Sequence, residues 1–252
     1  MNYPIVEPNN ARSETYRRYL EEILKSEKCP FCPGGATRFD QETLAENEGW
    51  WLTRTTQPIA GTKSHFLIIP QKHVLSMQEI GIRDFTRLQE IFAIAQKRFG
   101  YENLVCYWRE GDPIITGASV SHIHLQCMEL AETSLVYFGK YSGTSIEEIE
   151  PWTGIPDCRY WRSSWLPECV PTRTGTNNRI RLLPSRDLHS LRDFSDIEWL
   201  SLLHQLEKTV LKFSGSVTYW AEGKPNLTGS GTELVVPYCL APNGTVRLRF
   251  GV

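Results

Sequence analysis

An internal repeat constrains this chain more than any other feature, because two copies of one pattern require one architecture built twice. Tyr107-Trp108-Arg109-Glu110-Gly111 returns as Tyr219-Trp220-Ala221-Glu222-Gly223. Upstream, Phe66 to Pro70 is echoed by Ile180 to Pro184, and Ser76-Met77-Gln78-Glu79-Ile80 by Ser190-Leu191-Arg192-Asp193-Phe194. Between these pieces lie helical patterns of matching length. Asp84 to Phe99 places Phe85, Leu88, Ile91, Phe92, Ala95 and Phe99 at helical spacing, and Phe194 to Phe213 follows suit with Ser195 as its N-cap. Downstream, Gly229-Ser230-Gly231 echoes Gly117-Ala118-Ser119, and Pro237 to Leu240 echoes Leu125 to Met128. Chance recurrence of short apolar patterns is the alternative. The shared Tyr-Trp-x-Glu-Gly and the matched helix lengths argue against it.

The copies differ in their chemistry. Val120 to Met128 alternates, so as a strand it projects His122, His124 and Gln126 from one face and Ile123, Leu125 and Cys127 from the other. The second copy carries Leu234, Val236 and Tyr238 at those polar positions, and Asp187 where the first has His73. Burying two imidazoles and an amide is costly unless each finds a partner. A half-exposed strand with its polar side in water is the bland reading; metal binding or acid–base chemistry is the sharper one. The small-residue turn Gly117-Ala118-Ser119 leads into this face and lets backbone N–H groups approach an anion closely. A neutral imidazole beside an anion cradle is a nucleophile toward phosphorus, and covalent catalysis would divide one hard displacement into two easier ones.

Cys29-Pro30-Phe31-Cys32 is the second strong signal. A C-x-x-C pair needs two further ligands to close a tetrahedral zinc site. The sequence reading takes Cys29, Cys32, His73 and His122 as that set. A redox pair is one rival, and it wants a strand-to-helix context. Here an amphipathic helix precedes the pair and Pro33-Gly34-Gly35 follows it, in the manner of a knuckle. Two unrelated free thiols are the other rival.

Ser64-His65-Phe66-Leu67-Ile68-Ile69-Pro70-Gln71-Lys72-His73, followed by Gly117-Ala118-Ser119-Val120-Ser121-His122-Ile123-His124-Leu125-Gln126, resembles the histidine-triad superfamily. Gln126 in place of a third His resembles its transferase branch, the galactose-1-phosphate uridylyltransferase and diadenosine tetraphosphate phosphorylase type. The resemblance covers roughly Cys29 to Met128. It implies zinc on Cys29, Cys32, His73 and His122, and a nucleotidylated intermediate on His124. It also implies a site for His65 near the chemistry, as a supporting or substrate-binding group. The branch has an Asn-x-Gly element before the phosphate turn, where this chain reads Trp108-Arg109-Glu110-Gly111. Arg109 either replaces an amide donor with a charged one or pairs with Glu110 or Asp112.

The resulting expectation is an α+β protein of two histidine-triad-like halves, 1–130 catalytic and 131–252 degenerate. Each half has an antiparallel sheet and a long helix, and together they form an intrachain pseudo-dimer. The Trp- and Pro-rich connection 129–177 (Pro151, Trp152, Pro156, Trp161, Trp165, Pro167) supplies first strands to the second half, and its remainder is free to fold over the site. Further helix and strand patterns fall at Ser13 to Lys25, Trp50 to Thr55, Ser64 to Ile69 and Asn103 to Trp108. The expected activity is transfer of a nucleoside monophosphate from a nucleotide or nucleotide sugar to phosphate or a sugar phosphate. His124 and Gln126 would be catalytic, and Ser119, Gly117, Arg109 and His65 would bind substrate. The zinc would be structural, with all four ligands from protein. A hydrolase of dinucleoside polyphosphates and a non-catalytic nucleotide-binding protein are the alternatives. Net charge of −2 shows no footprint for nucleic acid, and no apolar run matches a membrane span. Seven cysteines without framework spacing and no secretory pattern suggest a reducing cytoplasm, with a monomer acting as a pseudo-dimer or a homodimer.

Overall fold

A computed structural model of the protein describes residues 3–35, 42–59, 62–130, 135–142, 145–147, 165–170, 179–184, 188, 190–213, 215–223, 238–240 and 246–251. The chain is α+β. Helix α1 (Glu14–Ser26) starts at Ser13, whose side chain accepts from the Tyr16 N–H, and stops at Glu27 in the left-handed region. Strands β1 (Thr43–Asn47), β2 (Trp50–Arg54) and β3 (Thr62–Pro70) follow, then helix α2 (Ile82–Phe99) and strand β4 (Asn103–Gly111). A one-turn helix α3 (Pro113–Thr116) precedes β5 (Leu125–Leu130). Strands β6 (Leu135–Ser142), β7 (Ser145–Glu147), β8 (Trp165–Val170) and β9 (Arg179–Pro184) lead to helix α4 (Asp196–Phe213). Strands β10 (Gly215–Gly223), β11 (Tyr238–Leu240) and β12 (Val246–Gly251) finish the chain.

Nine strands form one antiparallel sheet in the order β1-β2-β3-β5-β4-β10-β11-β9-β8. Strands β12, β6 and β7 form a second. In the large sheet, β2-β3-β5-β4 from one side mirrors β8-β9-β11-β10 from the other. The register repeats as well. Gln126 pairs with Leu67 and Tyr107, and Tyr238 pairs with Arg181 and Tyr219. At the centre β4 meets β10, with Tyr107 opposite Tyr219 and the flanking pairs symmetric about them.

One face of this sheet packs on the long helices. Phe85, Leu88, Ile91, Phe92 and Ala95 of α2 are fully buried, each contributing about 1.5–3 kcal/mol for its apolar side chain, Ala95 less. Phe85 stacks on Trp199 of α4 with ring centroids 4.2 Å apart. Two turns tie the helices to the sheet in the same way. Glu110 accepts from the Ser76 hydroxyl at 3.1 Å and the Met77 N–H at 2.9 Å. Glu222 accepts from the Ser190 hydroxyl and from the Leu191 N–H at 3.0 Å. Each turn carries a capping box, Ser76 with Glu79 and Ser190 with Asp193.

The opposite face of β2 and β3 is covered by α1 and the Cys29–Cys32 knuckle. Because neighbours on a strand point apart, Trp50, Phe66 and Ile68 join the helix-side core, while Trp51, Leu67 and Ile69 join Leu20, Ile23 and Phe31.

Most expected elements stand within two residues of their predicted ends. Strand β1, helix α3 and the β12–β6–β7 sheet were not foreseen. Of the connection, Trp165 and Pro167 lie in β8, which does supply a strand beside β9. Pro151, Trp152, Pro156 and Trp161 lie outside the described residues, as do Asp187, Gly229 to Gly231, Leu234 and Val236. Among the described residues, no helix is long and apolar enough to cross a membrane.

Candidate functional site

The site strand is shorter than its alternation predicts, since β5 begins only at Leu125. Its partner β3 ends at Pro70, which has no N–H to donate to a ladder. Residues 120–124 are pinned otherwise. Val120 forms an isolated bridge with Val6, the Ser121 N–H donates to Ile5 O at 3.0 Å, and the Ile123 N–H donates to Val74 O at 2.9 Å. The alternation survives this change of partners. Ile123 and Leu125 are fully buried in the helix-side core, while His124 and Gln126 line a cleft on the other side.

That cleft has a cavity of ≈ 100 Å³ lined by Asn10, Arg12, Ile59, Tyr107, Arg109, Gly117, Ala118, Ser119, His124 and Gln126. A neighbouring lobe of ≈ 250 Å³ shares Arg12, Ser119, His124 and Gln126 and adds the apolar and aromatic walls of Tyr16, Tyr19, Phe31 and Leu67. The four shared residues therefore stand where the two lobes meet.

His124 is prepared as a base or nucleophile by its own backbone. Its Nδ1 lies 2.9 Å from His122 O. A carbonyl only accepts, so Nδ1 carries the proton and Nε2 keeps a free electron pair. Burial, followed by the positive charges of Arg109 and Arg12, brings its pKa down to about 4, against the opposing bond to His122 O. The ring is neutral at pH 7.

Gln126 is held from behind. The Ile59 N–H donates to His65 Nδ1 at 3.3 Å, so His65 carries its proton on Nε2. That proton faces Gln126 Oε1 at 2.6 Å. With its oxygen engaged, Gln126 has its NH₂ left as the donor. Burial brings the His65 pKa down to about 4, so this neutral tautomer holds at pH 7. His65 stands behind Gln126 rather than in the cleft wall.

Two N–H groups of the turn, expected to face an anion, are taken up within the protein, that of Ala118 by the Thr116 hydroxyl at 3.4 Å. Gly117 has φ +70° and closes α3 by donating its N–H to Pro113 O at 2.9 Å. Arg109 donates to Thr116 O at 2.8 Å and lies over the Tyr107 ring, 5.5 Å from its centroid. Glu110 turns to the helix side, away from Arg109's face. Sequence reasoning missed the N-terminal arm. Asn10 donates to Pro113 O at 2.7 Å and Ala118 O at 2.8 Å, the Glu7 N–H donates to Ser119 O at 3.0 Å, and Arg12 reaches both lobes. No motif marks these residues, and they lie more than a hundred positions from the turn they support. The only sequence signal was an Asn and an Arg placed just ahead of a helix cap.

Cys29, Cys32, His73 and His122 come together, with one ligand atom from each, all within 4.8 Å of one another. The S···N separations are 3.3 Å (Cys29–His122), 3.2 Å (Cys32–His73) and 3.6 Å (Cys32–His122). A tetrahedral zinc with ordinary Zn–S and Zn–N bonds sets such pairs about 3.5 Å apart. His122 offers Nδ1 while its Nε2 donates to Pro70 O at 3.0 Å, the kind of support that fixes a ligand ring. The knuckle requires Gly35, where a Cβ would lie 2.2 Å from Cys29 O. Burial pushes the Cys29 thiol up to about 12, and a divalent cation beside it would reverse that and hold the thiolate. The four residues fit a metal ion.

No protein-family model matches this sequence, and no curated protein matches it. Solved structures do. One uridylyltransferase structure superposes with a TM-score of 0.53 at 14% identity, over 87% of this chain and 82% of that one. A structure of a uridylyltransferase mutant gives a TM-score of 0.51 at 12% identity, over 84% and 80%. The likeness thus extends over most of the chain in three dimensions: this chain has the fold of the solved uridylyltransferase structures.

Proposed function

We propose that the chain is a nucleotidyltransferase or phosphorylase working through a covalent nucleotidyl-His124. The observation that carries this reading is the state of His124: neutral, with Nδ1–H tied to His122 O and Nε2 free, in a cleft walled by Arg12 and Arg109. In the first step the Nε2 pair attacks the α-phosphorus of a nucleotide or nucleotide sugar. The P–O bond to the leaving phosphate breaks and its electron pair departs on that oxygen. In the second step an oxygen of phosphate or a sugar phosphate attacks the same phosphorus. The P–N bond breaks and returns its pair to Nε2. Gln126 NH₂, the Ser119 hydroxyl, Arg12 and Arg109 bind phosphate oxygens and offset the charge gathering on them. Uridine diphosphate sugars are the first substrates to try, since two of the solved structures sharing the fold are uridylyltransferases.

Gln126 supports transfer over hydrolysis. An amide neither gives nor takes a proton near neutral pH, so an already deprotonated phosphate is a better second acceptor than water. Cys29, Cys32, His73 and His122 would hold a zinc that is structural, since four protein ligands leave no open position. It would anchor the knuckle and His122 beside His124.

The two halves, 1–130 and 131–252, act in this reading as an intrachain pseudo-dimer with one working site. The mirrored strand order, the repeated register and the paired Ser–Glu turns support it. The test of activity is product formation from UDP-glucose with and without inorganic phosphate. Phosphate-dependent glucose-1-phosphate and UDP support phosphorolysis. UMP formed at the same rate without phosphate would establish a hydrolase.

A further inference from the structure

Ser119 is the one hydroxyl shared by both lobes of the cleft. A serine hydroxyl rotates freely and can give or take a hydrogen bond, so a serine that is to bind an anion gains from being told which to do. Tyr16, in the first turn of α1, reaches across from the N-terminal helix and sets its hydroxyl 3.1 Å from Ser119 Oγ. The ring is fixed by stacking on Tyr19, with centroids 6.2 Å apart, and by the packing of α1 against Leu67 and Phe31. The backbone of Ser119 is fixed too, because its carbonyl accepts from the Glu7 N–H at 3.0 Å. Both ends of the pair are therefore held, and the hydroxyl protons alone are free to choose a direction.

Chemistry makes that choice. Burial pushes the Tyr16 phenol above its ordinary 10, so it remains O–H throughout the neutral range. A phenol is more acidic than an alcohol and is the stronger donor of the two. The phenol proton then goes to Ser119 Oγ, and the serine proton is turned toward the cleft. A chain of this kind polarises each of its members, so a serine that accepts from a phenol donates more strongly.

We propose that Tyr16 is a positioning residue that makes Ser119 a donor aimed at a phosphate oxygen beside His124. The proposal rests on the anion site of the preceding reading. It parallels the way His65 engages the Gln126 oxygen, so that two donors face one anion and each is oriented from behind.

The experiment uses the full, metal-loaded chain and two readouts. In the first, tyrosine is ¹³C-labelled at Cζ and no ligand is present. The resonance that vanishes in Tyr16→Phe shifts in Ser119→Ala, and an unmoved resonance overturns the proposal. In the second, binding of inorganic phosphate is measured calorimetrically. Tyr16→Phe keeps the ring and its packing, and weakens binding roughly three- to tenfold, the range of one neutral hydrogen bond. In a Ser119→Ala background the same change has almost no effect, because the partner through which it acts is gone. Ser119→Thr keeps a hydroxyl and restores the dependence on Tyr16. Equal losses in both backgrounds overturn the proposal, and so does a wild-type chain that binds no phosphate. A chain that shows the expected coupling yet forms no nucleotidyl adduct keeps this proposal and fails only the proposed function.

Discussion

Strands β5 and β11 occupy the same place in the two sides of the sheet and carry different residues. Gln126 on β5 pairs across to Leu67 and Tyr107, and Tyr238 on β11 pairs to Arg181 and Tyr219, the corresponding partners. The buried Ser–Glu turns on the helix side are duplicated, with Glu110 serving Ser76 and Met77 and Glu222 serving Ser190 and Leu191. The residues of the other face differ in sequence. The first half has His65, Gln126, Arg109 and a Cys/His cluster there, and the sequence of the second half has Tyr238 where Gln126 would be. The lesson is that a sheet's two faces can diverge separately. Residues pointing at the helices specify the fold, and residues one position along on the same strands are free to keep or lose a reaction.

Five expected outcomes test that contrast, from the largest effect down. His124→Ala leaves the fold intact, because the side chain lines a cleft and is no part of either apolar core. Turnover falls by several orders of magnitude, as loss of a covalent nucleophile does. Near-normal turnover would move the chemistry elsewhere. In the intact protein, adduct formation stays level from pH 8 down to about 5. It falls only as pH drops through the lowered pKa of His124, about 4, because protonation removes the Nε2 pair. A midpoint near the ordinary histidine value would contradict the burial of the ring.

Gln126→His shortens the life of the nucleotidyl enzyme in phosphate-free buffer by on the order of a hundredfold, the usual yield of general acid–base help. An unchanged lifetime removes the main ground for preferring transfer over hydrolysis. The double change Cys29→Ser with Cys32→Ser abolishes binding of the metal proposed for this site and lowers Tm by roughly 10 °C, on a scale of about 2–4 °C per kcal/mol for a chain of this size. Metal analysis and a thermal melt check both parts. The smallest effect is the one most diagnostic of the repeat. Glu110→Ala and Glu222→Ala each strand a buried N–H, of Met77 and of Leu191, at a cost of about 1–3 kcal/mol apiece. Chemical denaturation should find the two costs alike. A large inequality would mean that the turns only look equivalent.

Much of this was legible in the sequence, and particular residues show why. The repeat was readable because Glu110 and Glu222 lie in a pentapeptide that packing requires in both halves. The metal cluster was readable because C-x-x-C and two histidines are rare outside such a role, and the four do converge. The alternation placed His124 and Gln126 on one face, where both line the cleft, although the strand itself starts later; His122 goes instead to the Cys/His cluster. Arg12, Asn10 and Tyr16 were not legible. Their part in the site comes from an arm that bridges Val6 to Val120, a pairing with no local pattern behind it. Strand β1 was missed for a related reason: Thr43 to Asn47 is polar on most positions and is a strand only because Trp50 to Arg54 folds back beside it.

The central claim is that one histidine, in one half, carries the nucleotide. Incubation of the whole protein with UDP-glucose, followed by intact mass spectrometry and peptide mapping, tests it directly. The account predicts one uridylyl group per chain, on His124, discharged when inorganic phosphate or glucose-1-phosphate is added. An adduct on any other residue, or UDP-glucose turned over by the wild type with no adduct even on rapid quenching, would contradict it.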